Sequence, residues 1–296
     1  MRKSTLILIV AAFVLGAAGV MNAKGADSKL VKGCHPRLVL DSDEFSRLKK
    51  MVGGDDVIGH LHGHLMAVAD ASVSSKERFE SVIDKKGKYV ARRALARLVS
   101  CAYAYRMTGQ KQYFSKAVQD LNDVCSFEDW GPKSFLDVSE MAAAVSISYD
   151  WLYDKLPKPL KSKIVQALKE NALDASRGNN KYTWWYNRKG NWNQVCNSGL
   201  VCAAVAVYEY YPELAQEVID DAIRTNKVAV EAIYGPDGAY PEGPTYWGYG
   251  TVYQTLMLTV LDDIFGTDYG ISASSGFMDT GDFMTFIRGP DRKSVV

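Results

Sequence analysis

The chain has 296 residues, of which 47% are hydrophobic and 23% charged, and its formal net charge is +1. This length and apolar content suffice for one large or two small globular domains, which argues against extensive disorder. A net charge so close to zero provides no global basic field, so neither nucleic acid nor an anionic membrane is an expected partner.

The N-terminal residues 1–23 have the pattern of a secretory signal peptide. Arg2 and Lys3 give a positive start, an apolar run covers residues 6–21, and Ala23 offers a small residue for cleavage. A single membrane anchor is the alternative, although the apolar run is near the lower length limit for crossing a bilayer. We expect an exported protein, periplasmic or extracellular, that is free of the membrane after cleavage. Loss of the two N-terminal cations would change the net charge from +1 to −1, so an acidic polymer would have to be held by locally placed cations.

The cysteine and histidine positions do not indicate a metal centre. The five cysteines are an odd number without a CxxC pair, so we expect neither a disulfide framework nor a zinc site, and most should be buried as small apolar residues. They are Cys34, Cys101, Cys125, Cys196 and Cys202. His60, His62 and His64 lie close together, but no neighbouring pattern completes an HExxH-type site. We expect a solvated or partly packed helix face there, with no metal and no cofactor.

Helical periodicity begins at Ser42, after an extended segment at residues 35–40. Apolar residues recur at steps of three and four, and alternation with a period of two is nearly absent, so we expect few strands. The predicted helices form hairpins at residues 89–106 with 111–125, 137–153 with 159–173, and 191–211 with 212–233, and a further helix covers 251–265. This series predicts an all-α fold, either an α-solenoid or an incomplete (α/α) toroid, rather than a four-helix bundle.

Three segments divide the chain after the N-terminal region. Residues 35–271 are expected to form the helical, functional domain. Residues 272–290 begin rich in glycine and serine, and we expect a linker or the start of a truncated C-terminal domain there. Residues 291–296, Asp-Arg-Lys-Ser-Val-Val, match the translation of a common sequencing adapter, and we interpret them as an artefact of a truncated gene record.

A first polar and aromatic segment covers residues 184–199 and interrupts the amphipathic background. Exposed indole planes from Trp184, Trp185 and Trp192 suit stacking on sugar rings, although core packing is the alternative for each. Two cations, Arg188 and Lys189, suit pairing with a carboxylate or sulfate. Asn191 and Asn193 stand where a helix should begin, so one of them is either an N-cap or a functional amide.

A second such segment covers residues 235–250, where glycines and prolines predict an irregular loop directly before a helix. Tyr240, Tyr246 and Tyr249 are the candidates for an exposed phenol, with aromatic packing as the alternative for each. Acidic residues are further candidates, because glycoside hydrolases on (α/α) toroids use two carboxylates. The possible ones are Asp137, Glu140, Asp237 and Glu242.

Four motifs together resemble the heparinase II/III-like polysaccharide lyases. They are His35-Pro-Arg-Leu38, Ser148-Tyr-Asp-Trp-Leu-Tyr-Asp154, Asn191-Trp-Asn-Gln-Val-Cys196 and Tyr240-Pro-Glu-Gly-Pro-Thr-Tyr-Trp-Gly-Tyr-Gly250. The resemblance implies an N-terminal incomplete (α/α) toroid followed by β-sandwich-like sheets, which cleaves a uronic-acid polysaccharide by β-elimination. It also implies that a histidine from further along the chain assists, and no histidine follows His64 here.

The resemblance implies roles for individual residues. Tyr246 is the expected Brønsted base or acid, and Asn193, or next Asn191, is expected to neutralise the uronate. A free phenol titrates near pH ~10, so a base role requires a positive potential that favours phenolate, whereas an acid role does not.

The substrate would be an acidic polysaccharide, either a glycosaminoglycan or an alginate-like polymer. Substrate-binding residues are expected at Arg188, Trp192, Trp185, Glu242, Trp247 and Tyr249. A glycoside hydrolase and a non-catalytic glycan-binding protein are the alternative functions, and the sequence leaves the oligomeric state open.

Overall fold

The computed structural model describes residues 30–178 and 181–287. Within these residues the chain forms ten α-helices and no β-strand, apart from an isolated antiparallel bridge between Ile83 and Tyr89. The expectation of an all-α fold is therefore confirmed. The expected signal peptide at 1–23, the expected artefact at 291–296 and the last three residues of 272–290 lie outside the described residues.

Most helices follow one another with short connections, as the periodicity predicted. They are α1 (Ser42–Met51), α2 (Asp56–Ser74), α3 (Ala91–Thr108), α4 (Lys111–Val124), α5 (Phe135–Leu152), α6 (Lys158–Leu168), α7 (Asn191–Val207), α8 (Pro212–Tyr234), α9 (Gly243–Phe265) and α10 (Thr280–Phe286). A π-helical turn at Lys169–Leu173 extends α6. None of the helices in the described residues is both long and apolar enough to cross a membrane.

The helices form two layers. Helices α3, α5, α7 and α9 pack side by side in one row, and α4, α6 and α8 flank that row. The inner helices have little polar surface: every residue of α5 from Val138 to Leu152 is buried, and so is every residue of α7 except Trp192. A helix that is apolar all round belongs in the interior, whereas α4 and α8 bury one face only.

Helices α5 and α7 approach each other closely. A Cβ atom at Gly199 would lie 2.2 Å from the carbonyl oxygen of Ser139, so only glycine fits there. Ser139 also donates a hydrogen bond from its hydroxyl to the carbonyl of Cys196, 3.3 Å away. The two inner backbones therefore touch directly at the centre of the row.

The His35 motif fastens the N-terminal segment to the ends of α5 and α7. The imidazole lies 2.6 Å from Asp150 through Nδ1 and 3.1 Å from Glu209 through Nε2, and it stacks on Tyr153 with a centroid distance of 3.9 Å. Burial alone would lower the pKa of His35, but its hydrogen bonds to the two carboxylates raise it above the usual 6.5. Burial would likewise raise the pKa of Glu209, and the hydrogen bond from His35 and the charge of Arg37 hold it below 4.5.

Arg37 completes this cluster. Its backbone N–H donates to Asp150 Oδ2 at 2.8 Å, and its guanidinium donates to the carbonyl of Val205 at 2.7 Å and pairs with Glu209. A cation beside the last carbonyls of a helix is favourable because those groups lack partners within the helix. The His35 motif therefore has a structural role, which is to attach the N-terminal segment to the ends of α5 and α7.

Three details differ from the sequence-based expectations or refine them. Helix α9 begins at Gly243 rather than at residue 251, because Pro244 in its first turn is compatible with a helix start. Helix α7 ends at Val207 rather than at residue 211. The described part of the expected linker packs on the domain: Thr280 donates to the carbonyl of Gly238 at 2.7 Å, and Phe277 is buried.

The cysteines and histidines also have defined places. Four cysteines are buried, as expected for most of them, and Cys34 is exposed. All five are free thiols. His62 contacts the hydroxyl of Tyr103 at 3.0 Å across the α2–α3 interface, while His60 is exposed. Among the described residues, no group of three or more metal-binding side chains is close enough to hold an ion.

Candidate functional site

The two polar segments meet in a cleft of about 660 Å³. One wall is the short 3-10 turn Trp184–Asn187 with the start of α7, and the other is the start of α9. Five of the predicted site residues line it, namely Tyr246, Asn191, Arg188, Trp192 and Glu242. The structure therefore brings Asn191 and Tyr246, which are 55 positions apart in sequence, into the same cleft.

Tyr246 lies in the first turn of α9 and is the most exposed aromatic side chain of the cleft. Its exposed fraction is 51%, which is unusual for a large aromatic residue in this chain. Gly243 has a φ of +80°, and Pro244 follows it, so the chain turns sharply just before the helix. This turn holds the phenol at a helix start rather than in the irregular loop that the glycines and prolines predicted.

Glu242 and Asn191 clamp the two walls together. Glu242 Oε2 accepts hydrogen bonds from the backbone N–H of Asn191 at 2.9 Å and from its side-chain Nδ2 at 2.8 Å. The carboxylate thus satisfies the first turn of α7, where the helix dipole favours a negative charge. A Cβ atom at Gly190 would come within 2.8 Å of Glu242, so glycine leaves room for this clamp.

Asn191 is the first helical residue, and Gly190 is the N-cap, which makes the N-cap interpretation of either asparagine wrong. Asn191 Oδ1 is buried and accepts no hydrogen bond from the part of the chain that the structure describes. A buried polar atom without a partner costs about 1–3 kcal/mol, and this oxygen has no surface that a ligand reaches in this conformation.

Aromatic rings and cations form the rest of the cleft. Trp184 is 44% exposed, and its ring centroid lies 4.7 Å from that of Trp192. The guanidinium of Arg188 lies over the Trp184 ring at 5.2 Å, and Lys189 is exposed on the same wall. An exposed indole with one cation beside its ring and a second on the same wall suits a flat sugar ring that carries a negative group.

The structure corrects the role expected for Asn193. Its side chain is fully buried, and Nδ2 donates to the carbonyl of Tyr186 at 3.0 Å. Its Oδ1 accepts from Asn197 at 3.0 Å and from Asn226 at 3.2 Å. Asn226 and Gln254 in turn exchange two amide hydrogen bonds, of 2.9 Å and 2.7 Å. With its hydrogen-bonding atoms engaged inside the protein, Asn193 does not reach the cleft.

Three other predicted binding residues are also placed elsewhere. Trp185 is fully buried against Phe135, so it is a core residue. Trp247 is half-buried and donates from Nε1 to Thr280 at 2.8 Å. Tyr249 donates to Glu140 at 2.8 Å, deep at the ends of the inner helices. The expected substrate contact of Trp185 is therefore corrected to core packing, and Trp247 and Tyr249 lie outside the lining of the cleft described above.

An ion pair between the partly exposed Arg92 and the buried Glu140, which sequence reasoning missed, lies behind Tyr249. Arg92 donates to Glu140 Oε1 from Nε at 3.0 Å and from Nη2 at 2.6 Å, and its guanidinium lies 5.0 Å from the centre of the Tyr249 ring. Burial raises the pKa of Glu140, partly offset by Arg92, and burial raises the pKa of Tyr249. The three residues come from α3, α5 and α9, so these inner helices converge at one end. In the sequence, Glu140 within the mostly apolar stretch of α5 is the feature that could have indicated this pair.

The cleft contains one carboxylate, Glu242, among its described lining residues, whereas the usual glycoside hydrolase mechanisms use two. No protein-family model matches the chain, and no curated protein sequence matches it either. The geometry of the cleft is therefore the basis for a functional proposal.

Proposed function

We propose that the chain is the helical part of an exported polysaccharide lyase that cleaves a uronic-acid polymer by β-elimination at the cleft around Tyr246. The observation that carries the proposal is a half-exposed phenol in a cleft that also presents Arg188, Lys189 and the exposed indole of Trp184. The motifs that resemble heparinase II/III-like lyases support it independently.

The reaction needs a proton acceptor, a proton donor and stabilisation of negative charge. The C5–H bond of the uronate breaks, its electron pair forms the C4–C5 double bond, and the C4–O4 bond breaks with a proton delivered to O4. The carboxylate of the uronate is already negative and gains further charge as the C5 proton leaves. Fixed cations and hydrogen-bond donors at that carboxylate lower the barrier because they are in place before the charge develops.

We assign these roles as follows. Tyr246 transfers one of the two protons, either from C5 or to O4, and water accepts or supplies the other. Arg188 and Lys189 bind the uronate carboxylate. Asn191 is a positioning residue, since its backbone N–H and its Nδ2 hold Glu242 at the start of α7. In this proposal the two cations neutralise the negative charge of the uronate, rather than the asparagine that the resemblance implied.

We further propose that the helices form an incomplete (α/α) toroid. Helices α3, α5, α7 and α9 form a continuous row, and the contacts of Arg92 and Tyr249 with Glu140 join three of them at one end. A row whose first and last members share one partner is curved rather than flat. The cleft lies at the end where α7 and α9 begin, and a curved inner row would place it at the rim of a central funnel.

The proposal is tested by ultraviolet absorbance of the unsaturated uronate product. The full-length protein would be incubated with heparosan, heparan sulfate, hyaluronan and alginate in parallel. Tyr246→Phe should lower kcat by at least about 100-fold, as expected for loss of a proton-transfer group. Tyr269→Phe is the matched control, because this phenol is 38% exposed but lies outside the lining of the cleft.

The other outcomes discriminate the alternative functions. New reducing ends without a double bond, abolished by Glu242→Gln but not by Tyr246→Phe, would establish a hydrolase. Binding of intact polymer without any cleavage would establish a glycan-binding protein that uses Trp184 and Trp192. Either outcome would overturn the lyase proposal.

A further inference from the structure

We propose that a second cavity beside the cleft is a subsite for the neighbouring anionic sugar of the polymer, with Arg224 as the residue that reads its negative group. This inference rests on the proposed function and names a binding determinant that lies outside the two polar segments. The cavity has a volume of about 350 Å³ and lies between the turn Trp184–Asn187 and helix α8.

The two cavities are adjacent and share a wall. Trp184 and Asn187 line both of them. The exposed indole of Trp184 therefore lies between the cleft of Tyr246 and the second cavity. A polymer that passes over this indole would place one sugar in each cavity, with the shared aromatic ring between them.

The second cavity has its own fixed positive charge. Arg224 Nη2 donates to Asp221 Oδ1 at 2.6 Å, and Arg177 Nη1 donates to Asp221 Oδ2 at 2.8 Å. One carboxylate thus serves two guanidinium groups, that of Arg224 in the lining of the cavity and that of Arg177 behind it, so the negative charge of Asp221 is more than offset. Partial burial would raise the pKa of Asp221, but the hydrogen bonds from the two arginines hold it below the usual 3.8, so the carboxylate stays ionised.

Arg224 is the member of this group that a ligand can reach. Its side chain is 70% exposed, whereas that of Arg177 is 23% exposed and also donates to the hydroxyl of Tyr186 at 2.7 Å. The contact with Asp221 positions the guanidinium and uses one of its five N–H donors in the contacts described here. The remaining donors match a carboxylate or a sulfate in the paired geometry that arginine favours.

The test measures binding as a function of oligosaccharide length. Full-length Tyr246→Phe protein, in which the expected turnover is at least about 100-fold slower, would be titrated calorimetrically with heparosan, heparin and alginate oligosaccharides of two, four and six sugars. We expect affinity to rise about tenfold once the second cavity is filled, as for one charge-assisted interaction. Adding Arg224→Gln should remove that gain and leave the affinity for the shortest oligosaccharide unchanged, while Arg224→Lys should restore part of it.

Lys227→Gln provides the matched control, because Lys227 is an exposed cation one turn further along α8 and does not line the cavity. Thermal unfolding would verify that each variant is folded. A length dependence with heparosan assigns Arg224 to a carboxylate, and one confined to heparin assigns it to a sulfate; both support the subsite.

If Arg224→Gln binds every length as its parent does, or behaves as Lys227→Gln does, the subsite is refuted. In that case the lyase proposal stands if the wild-type protein still forms unsaturated product. If the parent binds none of the oligosaccharides and the wild-type protein cleaves none of the polymers, both proposals fail.

Discussion

Substitution of His35 by glutamine should destabilise the protein in a manner that depends on pH. The imidazole is fully shielded from solvent and contacts two buried carboxylates, Asp150 at 2.6 Å and Glu209 at 3.1 Å. Removing one partner of a buried charged group costs about 3–5 kcal/mol, and glutamine can replace one of the hydrogen bonds. We therefore expect a loss of about 3 kcal/mol at pH ~6, where the imidazole of the folded protein is protonated.

The sign of the pH dependence follows from the raised pKa of His35. The folded protein holds its proton more tightly than the unfolded chain does, so the stabilisation is complete below the unfolded value of 6.5 and is lost as pH rises through the folded value. For one proton, the slope is at most about 1.4 kcal/mol per pH unit. Glu209 has a lowered pKa and gives the opposite limb, with stability lost as pH falls below 4.5.

Urea denaturation of wild type, His35→Gln and His60→Gln would be measured at intervals from about pH 5.5 to about pH 9. His60 is an exposed histidine on α2, and its substitution should change the free energy of unfolding by less than about 0.5 kcal/mol at every pH. The gap between wild type and His35→Gln should narrow as pH rises. A gap that stays constant over this range would refute a protonated His35 in the folded protein.

Three further predictions separate packing from function. Trp184→Ala should leave stability within about 0.5 kcal/mol and weaken polysaccharide binding, whereas the buried Trp185→Ala should cost about 3–5 kcal/mol in urea denaturation; equal stabilities would contradict the assigned burial. Gly199→Ala should cost at least about 2 kcal/mol because its Cβ would overlap Ser139, while Gly63→Ala, which meets no atom within 4 Å, should stabilise α2 by about 0.5–1 kcal/mol. Asn193→Ala should lower the free energy of unfolding by about 1–3 kcal/mol through its buried amide partners, and an unchanged midpoint would show that the network carries no net stability.

Much of the architecture was predictable because helical periodicity depends on local sequence. Hairpins such as α3–α4 follow from apolar residues at steps of three and four, and their bounds agree with the prediction to within two residues. The start of α9 was missed because a run of glycine and proline usually predicts a loop, although Pro244 is acceptable in a first helical turn.

The cleft was only partly predictable. The composition of the two polar segments indicated a site with Tyr246, Asn191 and Arg188. Composition does not show which side chains of a segment face the cleft and which face the core. Asn191 and Asn193 differ by two positions and so lie on opposite sides of an α-helix, and the packing of α8 and α9 decides which of them borders the cleft. The contact of Arg92 with Glu140 joins residues 48 positions apart, which local periodicity does not encode.

The paired amides of Asn226 and Gln254 fix how helices α8 and α9 are aligned along their axes. Each side chain donates to the other across the α8–α9 interface, so sliding α9 along α8 by one turn would break both hydrogen bonds in a region without water to replace them. Gln254 lies eight positions after Tyr246 on the same helix, roughly 12 Å along its axis. The pair therefore fixes the axial position of α9, and with it the position of the Tyr246 phenol at the cleft, from inside the α8–α9 interface.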